Sequence, residues 1–449
     1  MSTDRALEQL PTPHSRIHIA GIAGVGMNAI AQVLHALGYR VSGSDRMADQ
    51  GISTPTLKKL VTAGIDVLPQ DGKSLPPDTS TLVVSSAIEP DNPELLTASE
   101  RGIPVLHRAA ALAAAVGDQK CIAIAGTSGK TTVTGMVGWL LTELGMEPNV
   151  VNGGALLNWQ SESVIGNVRI TGSPWWVVEV DESDRSLLRF QPEWALLTNI
   201  SKDHFSLTET QDLFGEFCSH VLTGIVVDVE TAALLPNRSK ESAHMVHWYP
   251  EAASSLTVPL PGAHNQLNAE LAIRFCEVMG YDRSEAIRCL SSFQGLERRL
   301  QRVSSADGIA VYDDYAHNPA KLAAAWRAVQ QVSRRVRGVW RPHGYGPLAA
   351  MSEDLIDMFV SALRPKDELF ILPVYYAGGT AKADYTSDIF VDHLQEQGIP
   401  AIYVPTYKDL AQHMLSDVQP TDAFLCMGAR DPELPLFARS LAEKLAGSA

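Results

Sequence analysis

A glycine-rich loop stands between an apolar run and an amphipathic one: Gly126-Thr127-Ser128-Gly129-Lys130-Thr131-Thr132. Residues 121–125 read as a buried strand. Behind the loop, Val133, Met136, Val137, Leu140, Leu141 and Leu144 recur at helical spacing, and Gly145 is placed to end the helix. Strand, glycine loop and helix in that order require an α/β sheet whose strand ends open onto loops. The first amides of such a helix lack carbonyl partners and face phosphate oxygens. Lys130 would then reach the β- and γ-phosphates, and the Thr131 hydroxyl would serve Mg²⁺. Ile124 stands where a strict GxxxxGK[ST] has its first glycine. The plainer reading is a tight turn with a solvent-facing lysine.

The same alternation of short apolar runs and amphipathic stretches continues from end to end, which implies α/β architecture with mostly parallel sheets. At roughly 100–200 residues per domain, 449 residues make three domains, with limits at 1–115, 116–300 and 301–449. In the first, a strand at 17–20 leads into Gly21-Ile22-Ala23-Gly24-Val25-Gly26 and a helix carrying Met27, Ile30, Leu34 and Leu37 on one face. That spacing is GxxGxG, and Asp45 follows where a dinucleotide fold places its ribose acid. Close helix–strand packing explains the glycines equally well. Strands are expected at 41–43 and 81–85 in this domain, 176–180 and 194–198 in the second, and 309–312, 336–340, 368–372 and 424–427 in the third.

Acidic residues gather at strand ends. Asp181-Glu182-Ser183-Asp184 follows the run 176–180, and Asp203-His204 follows the run 194–198. Carboxylates there sit where parallel sheets bind ligands, and one or two of them suit a Mg²⁺ site beside phosphates. A solvated acidic loop is the alternative. Arg298 and Arg299 precede the third domain, where a guanidinium can clamp a γ-phosphate. Asp313-Asp314-Tyr315-Ala316-His317-Asn318-Pro319 is expected to follow the strand 309–312, with Pro319 at a helix start.

The net charge of −15 opposes nucleic acid as a partner, because a phosphate-tracking surface is basic. No apolar run approaches the ~20 residues that span a bilayer, and the first fifteen residues are polar, without the apolar core of a signal peptide. The five cysteines are scattered and form no CxxC pair, as expected of thiols in a reducing cytoplasm.

Taken in order, these motifs resemble the Mur ligases, and within them the alanine-adding branch. The resemblance runs from His18 to Met27 through Gly43-Ser44-Asp45, Ser85-Ser86-Ala87, 126–132, 181–184, Thr198-Asn199-Ile200 with Asp203-His204, and Pro261-Gly262-Ala263-His264-Asn265 with Asn268. It closes with Arg298-Arg299-Leu300-Gln301 and 313–319. It implies a Rossmann-like UDP-binding domain, a central P-loop ATPase-like domain and a C-terminal Rossmann-like domain. Gly24, Val25, Gly26, Met27, Ser44, Asp45, Ser85, Ser86 and Arg108 would hold the UDP-sugar. Residues 126–132, His264, Asn265, Asn268, Arg298 and Asp314 would hold ATP. Thr131, Glu182 and His204 would ligate Mg²⁺ or Mn²⁺. Tyr315, His317 and His343 would meet the incoming amino acid. Lys130, Glu182, His204, Arg298 and His317 would carry catalysis.

The implied reaction joins the carboxylate of UDP-N-acetylmuramate to the amine of L-alanine or a similar amino acid through an acyl phosphate, in peptidoglycan precursor synthesis. The implied enzyme is cytoplasmic, a monomer or homodimer. One segment departs from the family pattern. In Arg341-Pro342-His343-Gly344-Tyr345-Gly346-Pro347, Gly344 and Pro347 occupy places where the alanine-adding branch carries arginines that serve the amino-acid site. His317-Asn318 replaces a His-His pair. A muropeptide ligase of cell-wall recycling, a paralogue with another amine and a non-catalytic UDP-sugar-binding protein therefore stay open. A Rossmann dehydrogenase would leave the Lys-Thr-Thr loop unexplained.

Overall fold

The protein is described by a computed structural model, in which residues 9–202, 205–236, 244–251, 256–303, 309–376 and 383–446 are described. Among these residues the chain builds three sheets. The first contains β1 (Arg16–Ala20), β2 (Arg40–Ser44), β3 (Asp66–Leu68), β4 (Thr79–Val84) and β5 (Val105–His107). Its order is β3-β2-β1-β4-β5, with every pairing parallel. The order reverses between β1 and β4, so the glycine loop after β1 opens at the point where such sheets bind ligands.

The second sheet contains β6 (Lys120–Ala125), β7 (Asn149–Val151), β8 (Val168–Arg169), β9 (Trp175–Glu179), β10 (Trp194–Leu197), β11 (Gly224–Asp228) and β12 (His244–Trp248). In the order β12-β11-β10-β6-β9-β7-β8, β6 lies between β10 and β9. The loop 126–132 is therefore flanked by the acidic loop after β9 and by Thr198 and Asn199 after β10. The third sheet contains β13 (Gln301–Arg302), β14 (Ala310–Asp314), β15 (Arg335–Trp340), β16 (Glu368–Ile371), β17 (Ala401–Tyr403) and β18 (Asp422–Met427). Its order, β13-β14-β18-β15-β16-β17, places the last strand between β14 and β15.

By its internal contacts the chain divides into two compact units: residues 1–259 with 267–294, and residues 260–266 with 295–449. The first unit contains both the first and second sheets, and one apolar core runs from Ile17 and Leu34 through Val116 to Val178 and Phe214. A buried amide network joins its halves. Gln32 Nε2 donates to Asn167 Oδ1 at 3.0 Å, and Asn167 Nδ2 donates to Asn28 Oδ1 at 2.8 Å. Asn28 Nδ2 in turn donates to the Gly24 carbonyl at 3.1 Å, so the network ends on the first glycine loop.

In the second unit, the sheet is covered on both faces, as a parallel sheet must be. Tyr312, Val336, Trp340, Leu369 and Leu425 point to one side, and Val311, Val339, Phe370, Phe424 and Cys426 to the other. Residues 309–312 were expected as the strand before Asp313 and Asp314. Instead β14 extends through both acids, because β18 pairs with them, Asp313 opposite Cys426 and Asp314 opposite Met427.

Candidate functional site

The loop after β6 is held from the side of β10. Thr127 N–H donates to the Asn199 carbonyl at 3.0 Å, and Ser128 N–H to Asn199 Oδ1 at 3.1 Å. Thr198 Oγ1 and Asn199 Nδ2 both donate to the Ser128 carbonyl, at 2.6 and 2.8 Å. Gly126 has φ of +134°, and a Cβ there would lie 2.0 Å from Thr198 Oγ1, so only glycine fits. Gly129, at φ +84°, caps the helix Lys130–Glu143, with the Asn268 side chain packed against it. Two loop amides are thus committed to Asn199, and the amides that begin the helix Lys130–Glu143 are of the kind that can receive an anion.

Lys130 Nζ donates to Glu182 Oε2 at 2.5 Å and to the Gly126 carbonyl at 2.8 Å, with Asp181 at 3.8 Å. Burial pushes the Glu182 carboxyl above the ordinary range, with Lys130 opposing. Burial also acts to raise Asp181, but Lys130, the Ser183 amide and Arg108 together outweigh it, and its carboxyl stays below the ordinary value. The Thr131 hydroxyl donates to Glu179 Oε1 at 3.0 Å, and Glu179 Oε2 accepts from Gly153 N–H at 2.7 Å. Glu179 was hidden in the sequence inside an apolar strand run. A lone carboxylate in Trp-Trp-Val-Val-Glu-Val was the available signal.

Among the described residues, no group of three or more His, Cys, Asp and Glu side chains is arranged to hold a metal. His204, expected as a ligand, lies outside the described residues. The hard oxygen donors Thr131, Glu179 and Glu182 nevertheless suit a cation that takes one or two protein carboxylates and draws its other ligands from phosphate and water.

At the first loop, Gly24 caps the helix Val25–Ala36 without a side-chain cap, and Gly24 and Val25 are exposed. Met27, expected at the UDP-sugar, points its side chain into the core instead, because it occupies the apolar stripe of that helix. Asp45 accepts from Ala23 N–H at 3.1 Å and Met47 N–H at 2.9 Å, so it braces the glycine loop. Ser44 Oγ donates to Glu94 Oε2 at 2.7 Å, and Glu94 Oε1 meets His18 Nε2 at 2.9 Å, all buried beneath the loop. Ser85 and Ser86 follow β4, Ser86 exposed. Arg108 pairs with Asp184 at 3.2 Å and Asp181 at 3.8 Å, and its guanidinium would lie 3.0 Å from a Cβ on Gly26. Arg108 thus joins the first glycine loop to the acidic loop beside Lys130.

His264 and Asn268 lie one turn apart on the helix Ala263–Val278, on one face, His264 exposed and Asn268 buried. The Asn265 side chain donates back to the Pro261 carbonyl at 2.7 Å.

In the second unit, Arg298 and Leu300 have φ of +57° and +45°, a left-handed conformation that costs non-glycine residues about 1–3 kcal/mol each. It is held by Tyr315 N–H donating to the Arg298 carbonyl at 2.8 Å and Leu300 N–H donating to Asp314 Oδ2 at 2.7 Å. Asp314 Oδ1 also accepts from Ala316 N–H at 2.7 Å, so both its oxygens hold backbone. The Arg298 guanidinium bonds the carbonyls of Gly428 and Ala429, faces Asp313 at 3.4 Å and lies over the Tyr315 ring. It braces this edge of the sheet rather than projecting as a clamp. Burial lifts the Asp313 carboxyl to about 6, Arg298 opposing and Asp314 adding to the rise.

The rings of Tyr315, His317 and His343 lie together. The His317 ring lies 5.6 Å from Tyr315 and 5.5 Å from His343. Burial, then His317, then Arg430 lower His343 to about 4, so it is neutral near pH 7. The departures noted in the sequence have local causes. Gly344 has φ of +74°, and its N–H donates to the Tyr375 carbonyl at 2.9 Å. Asn318 caps the helix Pro319–Gln330, its side chain accepting from Lys321 N–H. Arg341 pairs with Asp431 at 3.0 Å, between the rings of Tyr375 and Tyr407.

Loops at the C-terminal ends of parallel strands are where nucleotide-binding α/β scaffolds receive their ligands. Three family profiles match: the Mur ligase family, catalytic domain, over 16–120; the Mur ligase middle domain over 124–216; and the Mur ligase, glutamate ligase domain, over 298–430. Relatives named UDP-N-acetylmuramate–L-alanine ligase, from Xanthobacter autotrophicus and Dinoroseobacter shibae, are 33% and 34% identical. Each alignment covers 94% of this chain, and 95% and 96% of the respective relative. The chain belongs to the Mur ligase family, and it is an ATP-dependent, ADP-forming ligase. The UDP-N-acetylmuramate–alanine ligase of Thermotoga maritima shares its three-domain architecture, with a TM-score of 0.77 at 24% identity over 97% of this chain and all of that one. A murein peptide ligase from Psychrobacter arcticus matches with a TM-score of 0.66 at 20% identity, over 96% of this chain and 99% of that one.

Proposed function

We propose that the protein joins the carboxylate of UDP-N-acetylmuramate to the amine of L-alanine or a similar amino acid, in the synthesis of peptidoglycan precursors in the cytoplasm. The supporting observation is Lys130 at the start of its helix, beside Glu182 and Thr131, in a chain one-third identical over nearly its whole length to relatives of that name. In this reading residues 1–115 hold the UDP-sugar, 116–300 hold ATP and 301–449 receive the amine. UDP-N-acetylmuramate, ATP and the amino acid are its small-molecule partners.

A carboxylate resists attack by an amine, so it must first become an acyl phosphate with a good leaving group. Lys130 offsets charge on the phosphoryl group as it moves, and the amides at the start of the helix Lys130–Glu143 orient it. Thr131, Glu179 and Glu182 would hold a Mg²⁺ or Mn²⁺, which when bound would supply further positive charge at the phosphates; His204, the other expected ligand, lies outside the described residues. His317 and His343 line the place of the incoming amine, and the His343 imidazole, neutral near pH 7, can accept its proton. The test is ADP release with UDP-N-acetylmuramate against a panel of amino acids and muropeptides. Turnover with L-alanine supports the proposal. Turnover with a muropeptide alone assigns the recycling reaction, and nucleotide binding without ADP release under any amine assigns a binding protein.

A further inference from the structure

The acceptor of this reaction is an amino acid, and its own carboxylate stays ionised throughout. A half-buried site recognises such a group through a guanidinium able to donate two parallel hydrogen bonds. The segment 341–347 does not provide one. Gly344 and Pro347 have no charge, and Arg341 is neutralised by Asp431 and packed between two rings. Arg298 is committed to the Gly428 and Ala429 carbonyls and to Asp313. The sheet order supplies another guanidinium. Because β18 lies between β14 and β15, the loop after β18 emerges between the segment carrying His317 and the segment carrying His343. Backbone bonds fix it there, Gly428 N–H to the Asp314 carbonyl at 3.1 Å and Arg341 N–H to the Met427 carbonyl at 2.8 Å. Arg430 is the charged residue that this loop presents to solvent between β18 and the helix that follows. Among the described residues it forms no ion pair and no hydrogen bond, while its neighbours Ala429 and Asp431 are both buried and bonded.

We propose that Arg430 receives the carboxylate of the incoming amino acid and is the specificity-determining cation of the acceptor site. The proposal rests on the ligase reading above and extends it to a residue in another loop. The charge of Arg430 reaches the His343 ring, where it acts with burial and His317 to keep the imidazole neutral. The carboxylate is thus drawn to Arg430, and the amine is left to the two imidazoles.

The test compares L-alanine with L-alaninamide, which keeps the amine and lacks the carboxylate, at saturating ATP and UDP-N-acetylmuramate. Wild type, Arg430→Met and Arg430→Lys are measured by ADP release. In Arg430→Met, KM for L-alanine is expected to rise about 10- to 100-fold, the range set by loss of a charge-assisted hydrogen-bond pair. The preference for acid over amide should collapse, with KM for ATP unchanged. Arg430→Lys should recover only part, since an ammonium is a point charge without the planar fork. Because the residue is exposed, thermal melting should not move. As a second readout, the His343 ring should titrate at higher pH in Arg430→Met. An unchanged acid-to-amide ratio with normal turnover overturns the proposal and leaves the ligase reading standing, as does a rise in KM confined to ATP. If wild type ligates no amino acid at all, both fall.

Discussion

Lys130 and Glu182 show how much one contact sets. Their side chains are 12% and 3% exposed, so each neutralises the other in a place with little water. Lys130→Ala should lower kcat by about 10²–10³-fold or more, the scale for removing a charge that meets the transition state. It also leaves a buried carboxylate without its cation, a change worth about 3–5 kcal/mol where no proton is taken up. The melting temperature should therefore fall, and the double variant Lys130→Ala/Glu182→Gln should recover much of it without recovering ADP release. Two titrating groups in the second unit act in opposite directions. Asp313 is lifted from 3.8 to about 6, so its stabilising contribution is full below pH 3.8 and is lost as pH rises through about 6. His343 is lowered from 6.5 to about 4, so stability declines as pH falls below 6.5 and levels off below about 4. Denaturant unfolding of wild type against Asp313→Asn should show the wild-type advantage shrinking from pH 4 to 6. Against His343→Gln it should grow over the same window. At this scale the sequence singled out Lys130 and Glu182, whose side chains the structure pairs, and His317, whose ring it sets beside Tyr315 and His343. Glu179 was concealed in a strand, and Arg430 had no motif around it. The work of Asp45 and Asp314, bracing backbone, depends on partners that no spacing reveals.

Elements were read well where one period ran long enough. The helix Lys130–Glu143 and strands β1, β6, β15 and β18 lie where the apolar pattern placed them, within a residue or two. Short strands such as β7, β8 and β13 carry too few residues to set a period. The extension of β14 through two acids contradicts hydropathy and follows from pairing with β18. Close packing between elements is also beyond the sequence. A Cβ on Gly338 would lie 2.2 Å from the buried Trp326 ring, so Gly338→Ala should destabilise the second unit by about 1–3 kcal/mol or more, read as a shift in denaturant midpoint. The amide network joins residues 135 and 139 positions apart. Asn167→Ala breaks two of its bonds and loosens the Asn28 side chain that holds Gly24. It should cost about 1–3 kcal/mol and raise KM for UDP-N-acetylmuramate more than KM for ATP. Equal effects on both constants would argue against a role for the network at the first loop.

Over the whole molecule, three α/β sheets follow from the alternation of apolar runs. That the first two share one core does not, because it depends on which helices face each other. Two compact units with separate cores should unfold in two calorimetric transitions. ATP with Mg²⁺, which the Lys130 loop of the first unit would bind, should raise one of them. At one hundred times its dissociation constant, a ligand adds about 2.7 kcal/mol to the form that binds it. A single transition, moved as a whole by nucleotide, would show instead that the units unfold together. The cysteines belong to this scale too. Burial pushes Cys121, Cys218 and Cys276 up to about 12, so they serve as small core residues and not as nucleophiles.

The Lys130–Glu182 ion pair has a thermodynamic corollary. A triphosphate that draws Lys130 away strips Glu182 of its counter-charge, and a divalent cation that draws Glu182 does the same to Lys130. Either ligand alone must break the pair and leave a charge buried, whereas both together exchange it for two new pairs. Nucleotide and metal should therefore bind with positive cooperativity, each tightening the other by the same factor, as linkage requires. In Glu182→Gln that mutual factor should shrink toward one, measurable by titrating ATP calorimetrically with and without Mg²⁺.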